Sequence, residues 1–309
     1  MIVTVTPNPV LDRTLTVDEI HFDSVLRASN VRLDWGGKGF NVSRALLGLG
    51  TQSVAMAFVG GGTGQILVRG LQQLGIAGEF VEIGDETRTN VVVTDRDASR
   101  YLKVNEAGPT IAADEQAHFF QQVQARIAPG DIWVLAGSLA PGLPVDFYAR
   151  LIELIRAGGA RAVLDTSGPP LRSGSEAAPY MVKPNAQEAA EIVGVAVENV
   201  GDAVQAIAPF LDDGVDLVAL SLADQGLVLG TNLEIVHARP PHVQARNPVG
   251  AGDALVAGMV WALEQQLDMV EVARWGVAAG TAAAMRDGVD FGTRGEVNAL
   301  YDLVSVSVY

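Results

Sequence analysis

Short runs of β-branched and other apolar residues recur along the first two thirds of the chain, each bounded by turn residues. Continuous apolar runs of this length are typical of strands that are buried on both faces. We predict such strands at Ile2 to Thr6, Ser53 to Val59, Ile132 to Ala136, Ala162 to Asp165, and Leu217 to Ser221.

Segments with helical periodicity lie between these runs. We predict helices at Asn41 to Leu49, Gly64 to Leu74, Glu115 to Ile127, and Val145 to Arg156. The first two are followed by Gly50 and Gly75, which suits the left-handed residue that often ends a helix. Strands that alternate with helices indicate β-α units on a parallel sheet.

The pattern changes after about residue 240, where helical segments follow one another. We predict helices at Asp253 to Gln265, Val270 to Met285, and Glu296 to Val304. The C-terminal part is therefore predicted to be mainly helical.

Two segments do not fit this layered core. Arg13 to Val17 alternates polar and apolar residues, and Thr89 to Val104 is typical of a hairpin that turns around Asp95 to Ala98. We expect these distant pieces, approximately 12–34 and 88–105, to form a small β lid. No long linker or fixed-period repeat divides the chain, so we expect one domain over residues 1–309.

The composition narrows the class of protein. The chain has 309 residues, of which 49% are hydrophobic, so it can bury a sizeable core. Its 36 acidic and 21 basic residues give a formal charge of −15, which opposes nonspecific attraction to nucleic acid or anionic membranes. An anionic substrate would need a local positive pocket.

The chain contains no cysteine. Disulfides, thiolate nucleophiles and cysteine metal sites are therefore excluded, and the composition fits a reducing compartment. The start shows no basic leader before an apolar segment, and the longest apolar runs are well short of about 18 residues. We expect a cytoplasmic protein without a membrane span.

The stretch from Asn247 to Leu263, NPVGAGDALVAGMVWAL, places an aspartate at the expected start of an apolar helix. Gly250 and Gly252 allow a tight turn whose amides point into one space, and the helix N-terminus adds partial positive charge. Such a turn suits an anion. Asp253 beside it would accept the proton of an attacking hydroxyl in phosphoryl transfer. The alternative is that Asp253 is only a helix cap or a first-turn acid.

Two further glycine clusters superficially resemble nucleotide loops. Around Gly37 and Lys38 the Walker A spacing fails, because Arg32 and Gly39 stand where that loop needs glycine and Ser or Thr. These glycines would still let a ligand approach Lys38 and Asn41, although a structural turn capped by Asn41 is the alternative. The segment 59–65 fails the dinucleotide spacing at Gln65, so we expect a plain strand-to-helix turn there.

Five segments in a fixed order carry a family resemblance. They are Asn8 to Asp12, Gly36 to Val42, Gly137-Ser138, Lys183 to Glu188, and Gly250 to Asp253. In this order they resemble the ribokinase-like PfkB sugar kinases, and within them the branch of 1-phosphofructokinases and tagatose-6-phosphate kinases. The resemblance covers nearly the whole chain. It implies a ribokinase-like three-layer α/β/α sandwich with a mainly parallel central sheet and a small β-sheet lid.

The resemblance also implies roles for individual residues. Asp253 matches the catalytic base, and Gly250, Ala251 and Gly252 match the anion hole. The implied sugar contacts are Asp12 at the end of the first strand, Gly37, Lys38, Asn41 and Ser138. The implied nucleotide contacts are Lys183, Asn185, Ser221, Gly226 and Gly252, with Asn185 and Glu188 organising Mg²⁺ and its waters.

A phosphorylated sugar needs further cations, for which Arg27, Arg88 and Lys103 are candidates. Asp12, Ser138 and Lys103 have plain surface or turn roles as alternatives. We expect the helix N-terminus to favour the ionised form of Asp253. One departure from the family pattern lies in the segment Ser221 to Gly226, where Ala223 replaces a glycine.

The resemblance implies a kinase that uses ATP and Mg²⁺ to phosphorylate a ketohexose monophosphate, with fructose 1-phosphate as the first choice. A tagatose 6-phosphate or fructose 6-phosphate kinase would use the same residues. A non-catalytic sensor of sugar phosphate or nucleotide is a second class, and a dinucleotide enzyme fails on motif spacing. The resemblance also suggests a homodimer through the lid.

Overall fold

The computed structural model describes residues 1–97, 100–286, 288 and 290–309. In this part of the chain the strands are β1 Ile2–Thr6, β2 Val10–Val17, β3 Asn30–Gly36, β4 Ser53–Gly60, β5 Ala77–Ile83, β6 Arg88–Asp95, β7 Tyr101–Val104, β8 Ile132–Ala136, β9 Arg161–Asp165, β10 Met181–Val182, β11 Leu217–Ser221, β12 Leu227–Gly230, β13 Ile235–Arg239 and β14 Ser305–Val308. The helices are α1 Lys38–Gly48, α2 Gly61–Gln73, α3 Ala113–Arg126, α4 Phe147–Ala157, α5 Gly168–Glu176, α6 Ala186–Val193, α7 Val200–Ala206, α8 Ala208–Asp212, α9 Ala251–Glu264, α10 Met269–Ala284 and α11 Arg294–Tyr301.

The central sheet has ten strands in the order β14-β13-β12-β11-β10-β9-β8-β1-β4-β5. The strands from β11 to β5 in this order pair in parallel, and β12 to β14 extend the sheet by antiparallel pairing. The predicted mainly parallel sheet is confirmed.

The two faces of this sheet are covered by different helices. Along β1, the side chain of Ile2 joins the apolar cluster that contains α1, α9 and α10, while Val3 and Val5 join the cluster of α3, α4 and α7. This division follows the alternation of side chains along a strand. Helix α2 packs beside α1 through Leu67 and Leu71. The result is the predicted three-layer α/β/α arrangement.

A separate sheet of four strands has the order β3-β2-β6-β7. It unites segments far apart in sequence, as predicted, and β6 and β7 form the expected antiparallel hairpin. The predicted turn of that hairpin ends at Ala98, which lies outside the described residues. Asp12 lies within β2, so its predicted place at the end of the first strand was wrong.

The strand register divides this small sheet into two faces. Asp12 pairs directly with Asn90. Arg88 pairs with Val10 and Lys103 with Val92, at positions whose side chains lie on the same side, so the four residues share one face, here called the polar face. The opposite face, here called the apolar face, carries the side chains of Leu15, Val31, Leu33, Val91, Val93, Leu102 and Val104.

The C-terminal part is less helical than predicted. The predicted helix Glu296 to Val304 spans Arg294–Tyr301, and the chain then forms β14, which pairs with β13 at the edge of the sheet. We did not predict β12, β13 or β14. A four-residue edge strand whose side chains are mostly exposed has no apolar run to reveal it. Among the described residues, no helix has the length and apolar character needed to cross a bilayer.

The glycine-rich turn at 59–65 accommodates the segment that leads from β5 into the small sheet. Gly61 has φ +64°, and a Cβ there would overlap the Glu86 carboxylate. That carboxylate accepts a hydrogen bond from the Thr63 N–H at 2.6 Å, so it satisfies an amide in the first turn of α2. Gly60 and Thr87 exchange two further hydrogen bonds. These glycines therefore serve packing.

We expect Gly61→Ala to lower the free energy of unfolding by about 1–3 kcal/mol, because alanine is strained at positive φ and would displace Glu86. The measurement is urea unfolding followed by circular dichroism. Gly62→Ala is the matched control, since the nearest atom to its Cβ lies 3.9 Å away. The control should be neutral or stabilising by up to about 1 kcal/mol. Equal effects of the two variants would contradict this account.

Candidate active site

The candidate site lies at the carboxyl edge of the parallel strands. This edge carries Gly137 and Ser138 after β8, Asp165 at the end of β9, Lys183 after β10, and Ser221 at the end of β11. Parallel strands end at the same edge of a sheet, where open α/β proteins bind their ligands. The Gly137 carbonyl accepts hydrogen bonds from the Tyr148 and Thr166 hydroxyls, each at 2.8 Å, which fixes the loop that holds Ser138.

Asp253 lies in the first turn of α9, which begins at Ala251, two residues before the predicted start. Gly250 precedes the helix with φ +83°, in the left-handed conformation that glycine tolerates. Asp253 is only 6% exposed, and its Oδ2 accepts a hydrogen bond from Asn41 Nδ2 at 2.7 Å. Within the described structure no side chain caps α9, so Asp253 is not a helix cap, whereas the alternative of a first-turn acid agrees with its position.

The glycines around Lys38 pack α1 against the end of β1. A Cβ at Gly37 would lie 2.6 Å from Thr6 Cγ2, and one at Gly39 would lie 2.9 Å from the Val5 carbonyl oxygen. Asn41 does not cap this turn, because its amide donates to Asp253. The close packing thus places Lys38 and Asn41 beside α9.

A buried carboxylate, Asp165, holds two lysines. Its Oδ1 lies 3.1 Å from Lys38 Nζ and 3.2 Å from Lys183 Nζ. Asp165 is fully buried and Lys183 is 3% exposed. Its other oxygen, Oδ2, is buried and has no hydrogen-bond partner within the described structure. A buried charge is tolerated when it is paired in this way, and Asp165 therefore fixes both ammonium groups.

The charges around Asp253 act against its ionisation. Burial, together with the neighbouring Asp165 carboxylate, raises the pKa of Asp253 to about 6, although Lys38, Asn41 and Lys183 oppose the shift. We expected the helix N-terminus to favour the ionised form, and that prediction was wrong because desolvation is the larger effect. At pH 7 a carboxyl group with this pKa is still mostly ionised and can accept a proton.

The lysine–carboxylate pairs keep their charges. Burial disfavours the ammonium form of Lys38, but Asp165 and Asp253 outweigh it and raise the pKa of Lys38. Burial likewise disfavours the Asp165 carboxylate, but Lys183 and Lys38 outweigh it and lower the pKa of Asp165. The site is therefore a charged network, in which Asp253 is the carboxyl group that protonates most readily.

The turn Gly250-Ala-Gly252 has positive groups close to it. A Cβ at Gly252 would lie 3.9 Å from Lys183 Nζ, so the lysine reaches the start of α9. The N-terminus of a 14-residue helix adds its partial positive charge at the same point. This combination suits a phosphate group.

The polar face of the small sheet presents a second part of the site. Asn90 Nδ2 donates to Asp12 Oδ1 at 2.9 Å across the paired strands β6 and β2. Burial raises the pKa of Asp12, against the Asn90 hydrogen bond and the charges of Lys103 and Arg88. Burial also lowers the pKa of Arg88, against Asp12 and Glu106. A carboxylate and two cations thus face one space.

The other predicted phosphate contact, Arg27, lies outside the strands of the small sheet. Arg27 lies in the exposed connection between β2 and β3, and Ser138 is exposed on its loop. Lys103 is exposed on β7, within electrostatic reach of Asp12. Three of the four predicted cations, Lys38, Arg88 and Lys103, therefore lie on the elements that border the site.

The predicted metal and nucleotide residues have local partners. Asn185 Oδ1 accepts the Glu188 N–H and Glu188 Oε2 accepts the Asn185 N–H, both at 2.9 Å, in a capping box at the start of α6. Ser221 N–H donates to the Pro184 carbonyl at 3.0 Å. These contacts bring the start of α6 beside the end of β11.

The loop after Ser221 shows the effect of the departure at residue 223. Ala223 has φ +51° and Gly226 has φ +94°. A Cβ at Gly226 would overlap the Ala238 carbonyl oxygen, so only glycine fits there. Ala223 adopts the left-handed conformation that a glycine would adopt without strain. The loop keeps its turn despite the substitution.

Two important residues were missed. Asp165 ends a predicted strand, and a charged residue directly after an apolar run was the available signal. Asn90 is one of several polar residues in its hairpin and had no distinguishing signal, because its pairing with Asp12 depends on a parallel contact between distant strands.

Comparisons with known proteins agree with this geometry. Residues 8–294 match the family described as pfkB family carbohydrate kinase. The chain belongs to the pfkB family of carbohydrate kinases. A 1-phosphofructokinase of Bacillus subtilis is 36% identical over 307 residues, with 99% of each chain covered.

Solved structures agree at the level of the fold. Phosphofructokinase-2 from Escherichia coli in complex with potassium matches with a TM-score of 0.93 and 30% identity over 98% of each chain. The tetrameric inhibited form of the same enzyme matches with a TM-score of 0.90 at the same identity and coverage. The ribokinase-like fold of this pfkB kinase is thereby confirmed.

We expect Asp253→Asn to stabilise the protein at pH 7.5, because it removes a carboxylate whose ionisation burial opposes. Burial raises the pKa of Asp253 from 3.8 to about 6. The ionised carboxylate therefore destabilises the fold in full above pH 6, and this destabilisation disappears as the pH falls through the unfolded-state pKa. The gain should approach about 3 kcal/mol at pH 7.5 and about half of that at pH 5. Urea unfolding at both pH values measures it.

Asp165→Asn is the matched variant with the opposite sign. The pKa of Asp165 is lowered, so its carboxylate adds stability at neutral pH that is lost as pH falls. We expect this variant to be destabilised at pH 7.5. A destabilised Asp253→Asn protein, or a gain that does not change with pH, would contradict the assignment of charges in the site.

Proposed function

We propose that this pfkB kinase transfers the γ-phosphoryl group of ATP to a primary hydroxyl of a ketohexose monophosphate, and that its substrate is fructose 1-phosphate. The observation that carries the proposal is the position of Asp253. It lies beside the Gly250–Gly252 turn, is held by Asn41, and has two paired lysines nearby.

Asp253 would act as the base. The substrate hydroxyl oxygen forms a bond to the γ-phosphorus, the bond from that phosphorus to the β,γ-bridging oxygen breaks, and the hydroxyl proton passes to Asp253. ADP leaves with the bonding electron pair. A pKa of about 6 makes Asp253 a weak base for an alcohol, which suits a loose transition state where positioning matters most.

The transferred phosphoryl group needs positive charge around it. The amides of the Gly250-Ala-Gly252 turn and the Lys183 ammonium would stabilise its charge during transfer. Lys38 would add a further cation, since its pairing with Asp165 keeps it protonated. The pairs with Asp165 would hold both ammonium groups in position, which is the condition for effective electrostatic stabilisation.

The sugar would bind between this edge and the polar face of the small sheet. Asp12 would accept hydrogen bonds from sugar hydroxyls, and Gly37, Asn41 and Ser138 would border the same space. Arg88 and Lys103 would bind the substrate's own phosphate, and Arg27 is a further cation for it. A negatively charged substrate thus meets a local positive pocket in a protein of charge −15.

The choice of fructose 1-phosphate rests on the relatives. The Bacillus subtilis protein, 36% identical over nearly the whole chain, is named a 1-phosphofructokinase. The Escherichia coli structures are of phosphofructokinase-2. Fructose 6-phosphate and tagatose 6-phosphate exchange the positions of phosphate and acceptor hydroxyl, so they remain the alternatives.

ATP binding follows from membership of a kinase family, and Mg²⁺ is the expected partner of its phosphates. Lys183, Asn185, Ser221 and Gly226 would border the nucleotide. The residues fit a hydrated Mg²⁺ ion, because the capping box uses one oxygen of Glu188 and leaves the other for a water ligand. The buried Asp165 Oδ2 is a second unpartnered oxygen. Mg²⁺ would neutralise phosphate charge.

The first test measures ADP formation from Mg-ATP with fructose 1-phosphate, fructose 6-phosphate, tagatose 6-phosphate and unphosphorylated fructose. We expect a strong preference for fructose 1-phosphate, and a loss of turnover by at least about 100-fold in Asp253→Asn, since the base is removed. Preference for a 6-phosphate would replace the named substrate but keep the reaction class.

A folded protein that binds ATP and sugar phosphate but forms no ADP would contradict the proposed kinase reaction and favour a non-catalytic sensor. Isothermal titration calorimetry with each ligand distinguishes that outcome from a damaged preparation. Binding of NAD or NADP is not expected in the same titrations.

We also propose that two copies of this chain pair through the small sheet. Its apolar face is open to solvent, with Val31, Leu33, Leu102 and Val104 each between 40% and 56% exposed. Strand β7 is an unpaired edge with all four residues exposed. Exposed apolar faces and free edges mark association surfaces. A second copy presents the same surface, and a tetrameric form exists for the Escherichia coli relative.

We expect sedimentation velocity to give at least twice the chain mass of 32.4 kDa at micromolar concentration. Leu102→Lys combined with Leu33→Lys should shift the protein to the monomer, because charges would then be buried in the interface. Leu233→Lys is the control, since this side chain is 97% exposed elsewhere on the surface. A wild-type monomer at all concentrations would overturn the pairing.

A further inference from the structure

The chain passes between the large sheet and the small sheet four times. The crossings are residues 7–9 between β1 and β2, the link from β3 into α1, residues 84–87 between β5 and β6, and residues 105–112 between β7 and α3. The angle of the small sheet over the site depends on how these crossings are held together.

One side chain, Arg88, joins three of the four crossings. Its Nη2 donates to the Asn8 carbonyl at 3.0 Å and its Nε to the Pro9 carbonyl at 3.4 Å, both in the first crossing. Its Nη1 donates to the Glu106 carbonyl at 3.1 Å, in the last crossing. Arg88 itself is the first residue of β6, where the third crossing ends.

Neighbouring contacts reinforce this junction. Asn8 Nδ2 donates to the Ala107 carbonyl at 3.0 Å, and the Thr89 N–H donates to Glu106 Oε2 at 2.8 Å. On the large-sheet side, Thr87 is fixed to Gly60 by two hydrogen bonds. The third crossing is thus anchored at one end by the glycine turn and at the other by Arg88.

The guanidinium has donors left for a ligand. Three of its five N–H groups have carbonyl partners among the described residues, which leaves one N–H on each terminal nitrogen. Arg88 also lies on the polar face with Asp12, whose charge acts on it. Two N–H groups on two nitrogens match the oxygens of a phosphate.

We propose that Arg88 is a positioning residue that fixes the small sheet over the site and couples the sugar's phosphate to its closure. This inference rests on the proposed function and adds to it a role for Arg88 in the free protein. A phosphate bound to the two remaining N–H groups is joined directly to the crossings that carry β2 and β6. Loss of the junction would let water reach the transferred phosphoryl group.

The test compares Arg88→Lys with Lys103→Gln. Lysine keeps the positive charge but one ammonium cannot reproduce the planar fork that reaches three carbonyls. Lys103→Gln removes a cation from the same face and leaves the junction intact. Circular dichroism and thermal unfolding establish that each variant is folded, and Glu106→Gln, which weakens the Thr89 contact and removes a charge near Arg88 but keeps the guanidinium, provides a milder variant.

The first measurement is amide hydrogen exchange in the free protein. Arg88→Lys should speed exchange in β2 and β6 at least tenfold and leave β8 and β9 unchanged, whereas Lys103→Gln should change none of these strands. Unchanged exchange in Arg88→Lys would overturn the positioning role. This measurement needs no substrate, so it stands even if the proposed kinase reaction fails.

The second measurement is the ratio of ADP formed to sugar phosphorylated. Arg88→Lys should raise this ratio at least threefold and lower kcat more than it raises KM for the sugar phosphate. Lys103→Gln should raise KM and keep the ratio near one. If Arg88→Lys raised only KM and kept the ratio of ADP to phosphorylated sugar near one, Arg88 would bind the phosphate without positioning the small sheet.

Discussion

The arrangement of the site depends on a single buried carboxylate that holds two ammonium groups. Asp165 Oδ1 lies within 3.2 Å of both Lys38 Nζ and Lys183 Nζ, which come from α1 and from the end of β10. Without it, two cations would face each other in a buried space. With it, their positions are fixed, and the Lys183 ammonium is held beside the start of α9. The same carboxylate disfavours the ionised form of Asp253.

This constraint explains why the site is charged and yet contains a carboxylate able to accept a proton. Burial and the Asp165 carboxylate raise the pKa of Asp253, while the neighbouring lysines and Asn41 lower it, and together they bring it to about 6. A lower pKa would make it a poorer proton acceptor, and a much higher one would leave it protonated at neutral pH. The cost is a buried carboxylate whose ionisation destabilises the fold, as is common where function and stability compete.

Strands β1, β4, β8, β9 and β11 of the large sheet and helices α1 to α4 and α9 to α11 could be predicted from the sequence, because their apolar runs and helical periodicity indicate burial. Strands β5, β10 and β12 to β14 were not predicted. Strand β14 is a short, mostly exposed edge strand without an apolar run, whereas β12 is buried and its run Leu227 to Leu229 was an available signal. In the site, glycine turns and Asp253 were predictable. The contacts that set their chemistry were not: Asn41 with Asp253 spans 212 positions, and Lys38 with Asp165 spans 127.

The glycine clusters also show that the role of a residue can depend on contacts that the sequence does not reveal. At Gly37 and Gly39 the missing side chains allow α1 to pack against Thr6 and Val5, and at Gly61 they admit the Glu86 carboxylate. Three clusters that look alike in sequence therefore serve different purposes, two of them packing. The cluster before Asp253 differs because open space and the Lys183 ammonium lie beside Gly252. A glycine turn that could bind a ligand therefore differs from a packing turn in the atoms that lie beside it. Those atoms come from distant parts of the chain and are known only once the fold is known.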